Sequence, residues 1–345
     1  HDYFNNFAKD NYPKCRIYAP VGNYDDLLPY LMRRLLENGA NTSFINKISD
    51  PSLKIDDILE DPLEIVKDYT ILANPQIPLP PNMYLPDRKN AKGYDINDEE
   101  TKKDIEKIFI NQKDSLSYKA CSIINGNDIG NNFNEVFAPF NSNLNLGKVS
   151  FADSECVASA IDNASEFFLN WNIFHIDKKI EIINKFADLL ESNQYKLLEI
   201  CVLEAGKTIV DSINDIREAI DFCHYYTSEA HKMFNESIKL KGPTGEINEL
   251  HYEGKGVYFT ISPWNFPIAI FVGQIVAPLL AGNTVIAKPA EQTSIISYEI
   301  MQLFIKAGLP KGALQLLLGN GADIGKIALK DARVKGVMFT GSNKT

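Results

Sequence analysis

From residue 256 to residue 345 the chain alternates between short strand-like runs and helical patterns, and no other feature constrains the fold as strongly. Each run ends in a polar or glycine-bearing turn before the next helix. Strands that alternate with helices predict an α/β fold with a doubly wound parallel sheet, which binds ligands at the carboxyl ends of its strands. The runs cover residues 257–261, 283–287, 313–318 and 334–339.

Size, composition and charge limit the function classes. The chain has 345 residues and 45% of them are apolar, so we predict a globular protein of two or more units. A formal net charge of −10 leaves no basic surplus to displace counterions, which argues against a nucleic-acid partner. The apolar run 268–282 is interrupted by Gln274 and Pro278 and is shorter than the roughly 20 residues of a membrane span. A buried helix is predicted there.

The five cysteines are far apart and lack the Cys-x-x-Cys spacing of zinc and redox motifs. Cys223, His224 and His231 are interpreted as structural residues, so no metal site is predicted. We expect a reducing, cytoplasmic location. The chain begins with His1 and shows no secretory signal pattern, which is typical of an excerpt from a longer reading frame.

The pattern along the chain divides it into three segments, 1–45, 46–150 and 151–345. The first contains a short apolar run at 15–20 and a helical pattern at 24–38, which is too small to fold alone. The second is rich in Pro, Asn and Asp and is predicted to be a linker with short helices at 54–68 and 98–109. Amphipathic helices and a hairpin at 239–256 are predicted between residue 154 and the alternating pattern.

Lys288 and Glu291 follow a predicted strand and can both face a ligand in the crevice. This pair suits the hydroxyls of a ribose, and the carboxylate would repel a 2′-phosphate, which favours NAD over NADP. A surface ion pair is the alternative interpretation.

Two further turns have the character of a dinucleotide site. Gly321 belongs to a Gly-x-Gly-x-x-x-Gly string at 319–325, which departs from the usual spacing. Gly341 and Ser342 offer backbone amides and a hydroxyl where a pyrophosphate could rest, although a plain loop is equally compatible. The string EAGKT at 204–208 is similar to the end of a P-loop, but Cys201 occupies the place of its first glycine, which excludes nucleotide hydrolysis.

Asn265 lies between Trp264 and Phe266 and is flanked by prolines, so we predict a rigidly presented amide in an apolar setting. Such a donor can stabilise a developing oxyanion, an interaction whose removal costs roughly 3 to 4 kcal/mol in a hydrolase. The alternative is a turn asparagine that bonds its own backbone.

Together, these strings resemble the aldehyde dehydrogenase superfamily and, more closely, the bifunctional proline utilization A family, which oxidises proline to glutamate. The resemblance covers essentially the whole chain. On the dehydrogenase side it rests on ISPWNFP at 261–267, AGNTVIAKPAEQT at 281–293, EAGKT at 204–208, REAIDFC at 217–223 and FTGS at 339–342. RIYAPVG at 16–22 and YLMRRLLENGANTSF at 30–44 resemble the last strand and helix of the family's (β/α)8 proline dehydrogenase barrel.

In the barrel remnant, the resemblance implies that Tyr18, Arg33 and Arg34 contact proline and that the arginines pair with its carboxylate. Glu37 would support that helix near the flavin. Composition alone favours an exposed helix face for the two arginines.

In the dehydrogenase part, the resemblance implies one set of cofactor ligands and a smaller set of substrate residues. Asn265 resembles the oxyanion donor, and Phe266 and Glu218 resemble substrate-pocket positions. The implied NAD-binding residues are Ile261, Ser262, Trp264, Lys288, Glu291, Gly321, Gly341 and Ser342.

The family's mechanism uses a cysteine thiolate that attacks glutamate semialdehyde and a glutamate base, both of which are expected beyond Thr345. The ending Asn343-Lys344-Thr345 departs from the family's string. We therefore expect an internal fragment that is inactive by itself, with NAD as its cofactor and FAD only in the parent enzyme. The expected partners are proline, glutamate semialdehyde and a second copy or complementing fragment, and the parent could lie on the inner membrane.

Two other functions remain open. The chain could be a non-catalytic remnant of a split or decayed gene, or part of a dehydrogenase of another aldehyde. The barrel remnant argues against another aldehyde, because the resemblance implies that the proline pathway joins these two enzymes on one chain.

Overall fold

A computed structural model describes residues 19–39, 43–59, 61–67, 69–110 and 115–343. The chain divides into two compact units, residues 1–77 and 78–345. Tyr18, Cys15 and most of the predicted strand at 15–20 lie outside the described residues.

The first unit contains short helices with exposed surfaces. The predicted helix at 24–38 is confirmed, whereas the pattern at 54–68 forms two helices instead of one. Pro62 begins the second of these, because proline suits the first helical position and cannot continue a preceding helix. None of the described residues in these helices is buried. The helices are α1 (Tyr24–Gly39), α2 (Phe44–Ser49), α3 (Ile55–Ile58) and α4 (Pro62–Lys67).

The second unit begins with a segment that differs from the predicted linker. After a 3-10 turn at Pro80–Asn82 and helix α5 (Glu99–Ile110), five strands run between Ser115 and Ser150. Strands β2 and β3 are joined by Asn125 and Gly126, which both have positive φ, as a two-residue hairpin turn requires. The strands are β1 (Ser115–Ala120), β2 (Ser122–Ile124), β3 (Asn127–Ile129), β4 (Phe133–Ala138) and β5 (Asn141–Ser150).

Four helices follow, as the amphipathic pattern predicts. Asp153 caps the first of them by accepting a hydrogen bond from Cys156 N at 2.9 Å. The predicted hairpin is also confirmed, as an antiparallel pair of short strands. The helices are α6 (Ser154–Asn172), α7 (Ile176–Ser192), α8 (Gln194–Ala205) and α9 (Ile209–Phe234), and the hairpin strands are β6 (Ile238–Leu240) and β7 (Asn248–Leu250).

The remaining strands form most of a six-stranded sheet with the order β11-β8-β9-β10-β2-β3. Strands β8 to β11 are parallel, and the β2–β3 hairpin pairs antiparallel with β10. The elements are β8 (Val257–Ile261), α10 (Ala269–Leu280), β9 (Thr284–Lys288), a 3-10 turn (Glu291–Thr293), α11 (Ser294–Ala307), β10 (Leu314–Leu316), α12 (Gly321–Ala328) and β11 (Val334–Phe339).

Helices cover both faces of this sheet, so the doubly wound α/β prediction is confirmed. Val285 and Ala287 of β9 face a cluster that includes α10 and α11, while Ile286 faces a second cluster with α6 and α12. All five residues of β9 are buried. A parallel strand that is covered on both faces is mostly apolar, which explains the apolar run 285–287 inside β9.

The apolar run at 268–282 forms α10, a buried helix as predicted. Among the described residues, no helix is both long and apolar enough to pass through a lipid bilayer.

Candidate functional site

The parallel register brings the ends of β8, β9 and β11 side by side. Ile261 is paired with Lys288 on one side and with Phe339 on the other. Just beyond this row, Ser262 N donates to Lys288 O at 3.3 Å and Thr340 N donates to Ile261 O at 3.1 Å. The turns that follow these strands therefore converge at one edge of the sheet, as predicted.

Lys288 is buried at this edge, with 4% of its side chain exposed. Its Nζ donates to Pro289 O at 2.8 Å and lies 3.7 Å from Glu291 Oε2, while Glu291 itself is 37% exposed. Burial lowers the pKa of Lys288, and the charge of Glu291 acts in the opposite direction. This pair is therefore not a surface ion pair on the lysine side, because the lysine side chain is buried.

Gly321 lies against the Lys288 ammonium. A Cβ at Gly321 would lie 3.4 Å from Lys288 Nζ and 3.7 Å from Cε, so the glycine leaves space above the lysine. Gly321 is the first residue of α12, and Asn320 caps that helix by accepting from Ala322 N at 2.8 Å. The Gly-x-Gly string thus forms the strand–turn–helix junction that a dinucleotide turn needs, despite its unusual spacing.

Ser262 has an unusual environment at the same edge. Its residue is 5% exposed, and its Oγ atom is buried without a hydrogen-bond partner among the described residues. Buried hydroxyls in folded proteins nearly always have a partner. A ligand that reaches the end of β8 would supply one.

The loop 262–267 differs from the prediction for Asn265. The side chain of Asn265 is exposed, and its neighbours Trp264 and Phe266 are 56% and 38% exposed, so the setting is not apolar. The loop is held through its backbone, because Lys207 Nζ donates to Asn265 O at 2.8 Å. Lys207 Nζ also lies 4.4 Å from the centroid of the Phe266 ring.

Gly341 and Ser342 follow β11 and are exposed. Thr340, just before them, is tied to α10 by a hydrogen bond between its Oγ1 and the Gln274 side chain at 3.0 Å. The Gln274 amide satisfies both of its polar atoms when its nitrogen faces Ile261. In that orientation it donates to Ile261 O at 3.0 Å and accepts from Thr340 N at 3.2 Å. This glutamine thereby links the ends of β8 and β11. A role in binding pyrophosphate stays a prediction for the two exposed residues.

Glu218 lies on α9 at a cavity of about 330 Å³ that is also lined by Arg217 and Asp221. Burial raises the pKa of Glu218, and the charges of Asp215 and Asp221 raise it further. Phe266 lies under Lys207, whereas Glu218 lines this cavity. The role of both residues in substrate binding stays a prediction.

Arg33 and Arg34 lie on α1 in the first unit, and both are exposed. Arg34 Nη1 pairs with Glu37 Oε2 at 2.6 Å, one helical turn away. The described part of this unit buries no residue of α1, which agrees with the exposed-face interpretation. Tyr18 lies outside the described residues, and the proline-binding role of all three stays a prediction.

Sequence reasoning missed Asp215 and gave Gln274 no functional role. Asp215 is fully buried on α9, where burial raises its pKa while the Ala269 N–H and the charge of Lys207 lower it. Asp215 and Gln274 are each a polar residue on an apolar helix face. That mismatch was the available signal, since a buried polar group needs a partner.

The comparisons with known proteins agree with this geometry. The aldehyde dehydrogenase family model matches residues 126–345, more than half of the chain. The chain belongs to the aldehyde dehydrogenase family. This match begins inside the β2–β3 hairpin, so the family similarity reaches into the predicted linker, and the proline dehydrogenase family model matches residues 2–47.

Individual relatives narrow the similarity. The bifunctional protein PutA of Escherichia coli K12 is 39% identical over 337 residues, which cover 96% of this chain and 24% of PutA. The 1-pyrroline-5-carboxylate dehydrogenase of Bacillus subtilis is 35% identical over 204 residues, which cover 59% of this chain and 39% of the enzyme. The chain spans about a quarter of the length of the PutA relatives that it matches.

A solved structure shows the same relationship. The proline utilization A protein of Bdellovibrio bacteriovorus, inactivated by N-propargylglycine, superimposes with a TM-score of 0.79 at 30% identity. The match covers 94% of this chain and 33% of that chain.

Proposed function

We propose that the second unit is the NAD-binding part of an L-glutamate γ-semialdehyde dehydrogenase, which performs the second step of proline oxidation to glutamate. The observation that carries the proposal is the convergence of buried Lys288, open Gly321 and unpartnered Ser262 at one sheet edge. The relatives named PutA and 1-pyrroline-5-carboxylate dehydrogenase support the choice of substrate.

The residues at the edge fit NAD. Lys288 and Glu291 would bind the hydroxyls of the adenine ribose, since the ammonium donates and the carboxylate accepts. Gly321 leaves room beside them, and the Ser262 hydroxyl would gain the partner that the protein does not supply. The exposed Glu291 carboxylate would repel a 2′-phosphate, so we propose a preference for NAD over NADP.

The other proposed NAD contacts lie at the neighbouring strand ends. Ile261 and Trp264 would form the wall of the crevice beside Ser262, and Gly341 and Ser342 would approach the pyrophosphate. Each of these residues follows or ends a strand of the same parallel row.

Bound NAD would supply the hydride acceptor for aldehyde oxidation. The chain's own contribution is to orient the aldehyde, for which Asn265 is the proposed oxyanion donor and Phe266 and Glu218 the proposed substrate contacts. The exposure of Asn265 leaves its amide accessible to a substrate oxygen. Hydrogen-bond donors aimed at a developing oxyanion are among the larger sources of catalysis.

The cysteines that the structure describes are poorly suited as nucleophiles. Cys121, Cys201 and Cys223 are buried, and burial raises the pKa of Cys121 to about 11 and of Cys201 to about 12. Burial also raises the pKa of Cys156, which is partly exposed. A reactive thiol needs a lowered pKa and access to substrate. We therefore propose that this chain binds NAD but does not oxidise the aldehyde by itself.

For the first unit we propose a part of the proline dehydrogenase of the same longer protein. The family match to residues 2–47 supports this, with Tyr18, Arg33 and Arg34 as proline contacts and FAD as that enzyme's cofactor. Proline and glutamate semialdehyde are the proposed small-molecule partners.

Calorimetric titrations test the cofactor proposal. The full chain and its Lys288→Met variant are each titrated with NAD and with NADP. We expect saturable binding of NAD, weaker binding of NADP, and about tenfold to hundredfold loss in the variant, as for one or two lost hydrogen bonds to a charged donor. Lys306→Met is the control, because Lys306 is exposed on α11 and its loss should change nothing. Equal affinity for both cofactors, or an unaffected Lys288→Met, would contradict the proposal.

The substrate proposal has a separate test. Purified chain mixed with NAD and glutamate semialdehyde should form no NADH, since the described thiols are buried or have a raised pKa. Aldehyde-dependent NADH formation would refute the proposal that this chain does not oxidise the aldehyde by itself.

A further inference from the structure

The turn from Glu204 to Lys207, which joins α8 to α9, has no role in the function proposed above. Its sequence is similar to the end of a P-loop, yet neither of its charged side chains is available to a phosphate. Glu204 is buried, with 5% of the residue exposed, and the side chain of the partly buried Lys207 is 9% exposed. Glu204 contacts the beginning of α11, and Lys207 contacts the loop 262–267.

Glu204 holds the beginning of α11. Its Oε1 accepts from Ile295 N at 2.7 Å and its Oε2 accepts from Ile296 N at 2.9 Å. The first N–H groups of a helix have no partner within the helix, so a carboxylate at this place fixes where the helix starts. The 3-10 turn Glu291–Thr293 leads directly into α11. Glu204 thereby anchors the turn that carries the ribose-binding Glu291.

Lys207 holds the loop 262–267 on the other side of the crevice. Its Nζ lies 3.1 Å from Asp215 Oδ2, donates to Asn265 O at 2.8 Å and lies over the Phe266 ring. These contacts occupy an ammonium that has three N–H donors. Lys207 is therefore committed to the middle of the Asn265 loop.

Asp215 extends this contact to the end of the loop. Its Oδ1 accepts from Ala269 N at 2.7 Å, and Ala269 is the first residue of α10. The same carboxylate thus binds Lys207 with one oxygen and the helix start with the other. The loop between β8 and α10 is fixed at Asn265 and at Ala269 by one buried ion pair.

Gly206 makes the two directions possible. It has φ +66 and ends α8 in the left-handed region, where a residue with a side chain is strained. The reversal of the chain at this glycine separates the two side chains, so that Glu204 reaches α11 and Lys207 reaches the Asn265 loop.

We propose that the Glu204–Lys207 turn, together with Asp215, is a two-armed brace that positions both walls of the cofactor site. Glu204 sets the ribose-binding turn, and Lys207 with Asp215 sets the loop that carries Trp264 and Asn265. These are positioning residues, since the contacts of their side chains are with other parts of the protein. The inference rests on the proposed NAD site for its functional meaning, but its structural prediction does not need the cofactor.

Trp264 provides a readout of the Lys207 arm in the absence of NAD. The chain contains two tryptophans, of which Trp171 is 1% exposed and Trp264 is 56% exposed, so acrylamide quenching reports mainly on Trp264. Lys207→Met should change the quenching of Trp264 fluorescence, and Lys207→Arg should restore it in part because the guanidinium can still bind Asp215 and Asn265 O. Unchanged quenching in Lys207→Met would overturn the Lys207 arm of the brace.

Glu204→Gln tests the other arm, because an amide can accept from only one of the two helix N–H groups. This variant should weaken NAD binding about tenfold, as expected for one lost hydrogen bond to a buried acceptor, and leave Trp264 quenching unchanged. Lys207→Met should affect both measurements. If Glu204→Gln and Lys207→Met changed the quenching equally, the fold would be perturbed in general. That result would refute the proposal that the two arms act separately. Lys178→Met, which removes an exposed lysine, is the control.

Hydrogen exchange on the unmodified chain covers the case in which a variant does not fold. The amides of Ile295, Ile296 and Ala269 should exchange slowly, since each donates to a buried carboxyl group. The comparison is with the amides of the exposed residues 264–266. Fast exchange at all three would refute the brace. Absence of NAD binding in the unmodified chain, with slow exchange retained, would instead count against the proposed function alone.

Discussion

Helix α1 and strand β9 both carry cationic residues that the family resemblance assigns to ligands, but the two regions hold them differently. Arg33 and Arg34 lie on a helix without a buried residue, whereas Lys288 ends a strand in which all five residues are buried. The exposed arginines can choose among many rotamers. Lys288 is desolvated and confined by Pro289, Glu291 and Gly321.

The difference shows that residue type alone does not make a binding site. An exposed pair such as Arg34–Glu37 contributes about 0 to 1 kcal/mol, so it does little to hold either side chain in one place. A buried ammonium has its position fixed by the packing that surrounds it, which lowers the entropic cost of binding. Lys288 at the sheet edge has that kind of support, whereas Arg33 and Arg34 on α1 do not.

The largest expected contrast is in stability. Phe186 of α7 and Phe304 of α11 stack with ring centroids 3.6 Å apart. Phe304→Ala should lower the free energy of unfolding by about 3 to 5 kcal/mol, because it leaves a cavity in a packed core. Leu35→Ala on α1, where the side chain is 66% exposed, should change it by less than about 0.5 kcal/mol. Urea denaturation followed by circular dichroism measures both, and comparable losses would remove the distinction between the regions.

The second prediction concerns a buried cation in the helical layer. Lys179 is 4% exposed, and burial lowers its pKa from 10.5 to about 8. Between these values the unfolded chain binds more protons than the folded chain, so stability should rise with pH by at most about 1.4 kcal/mol per unit. Lys179→Met should reduce this rise, as measured by urea midpoints across the range.

Lys178 is the control for that experiment. It is exposed, and its hydrogen bond to Glu181 raises its pKa, so its own titration lies above the window. Lys178→Met should leave the slope unchanged. A slope that persists in Lys179→Met would show that another group titrates in its place.

A glycine pair in α12 gives a smaller effect. Gly321→Ala should weaken NAD binding about tenfold, because its methyl group would lie 3.4 Å from Lys288 Nζ and fill the open space. Gly325→Ala meets nothing within 4 Å and should leave affinity unchanged while stabilising the helix by about 0.5 to 1 kcal/mol. Calorimetry and thermal unfolding distinguish the two, and equal effects on affinity would contradict the proposed position of the cofactor.

The smallest effect is expected on α1. Arg34→Gln removes the exposed pair with Glu37 and should change the free energy of unfolding by no more than about 0.5 kcal/mol, with even less change at high salt. A loss above 1 kcal/mol in urea denaturation would show that α1 is held more firmly than its exposure indicates.

The sequence predicted elements well where one continuous apolar run lay between turn residues. Strands β8 and β11 have the predicted bounds, Val257–Ile261 and Val334–Phe339. The β2–β3 hairpin was missed because three-residue strands are too short to show a period. Its Asn125-Gly126 turn was the local signal, but a turn does not reveal which distant strand the hairpin will join.

The convergence of the strand ends at one edge was predicted, but the contacts that hold the loops there were not. Lys288, Glu291 and Gly321 were expected at one edge because parallel strands end together. The contacts from Lys207 to Asn265 and from Asp215 to Ala269 span 58 and 54 residues, and no local pattern encodes such partners. The exposure of Asn265 was likewise invisible, since flanking aromatic residues predict an apolar setting whether or not they are covered.

The β2–β3 hairpin has a consequence for the order of synthesis. The Ser122 hydroxyl of β2 accepts a hydrogen bond from Leu318 N, 196 residues later, just beyond the neighbouring strand β10. At roughly 5 to 20 residues per second, a ribosome needs about 10 to 40 s to make that interval. During this time the hairpin has no sheet neighbour from β10, and a lone hairpin is marginally stable in water. The growing chain must therefore protect an unpaired strand edge until the far end of its own sheet has been translated.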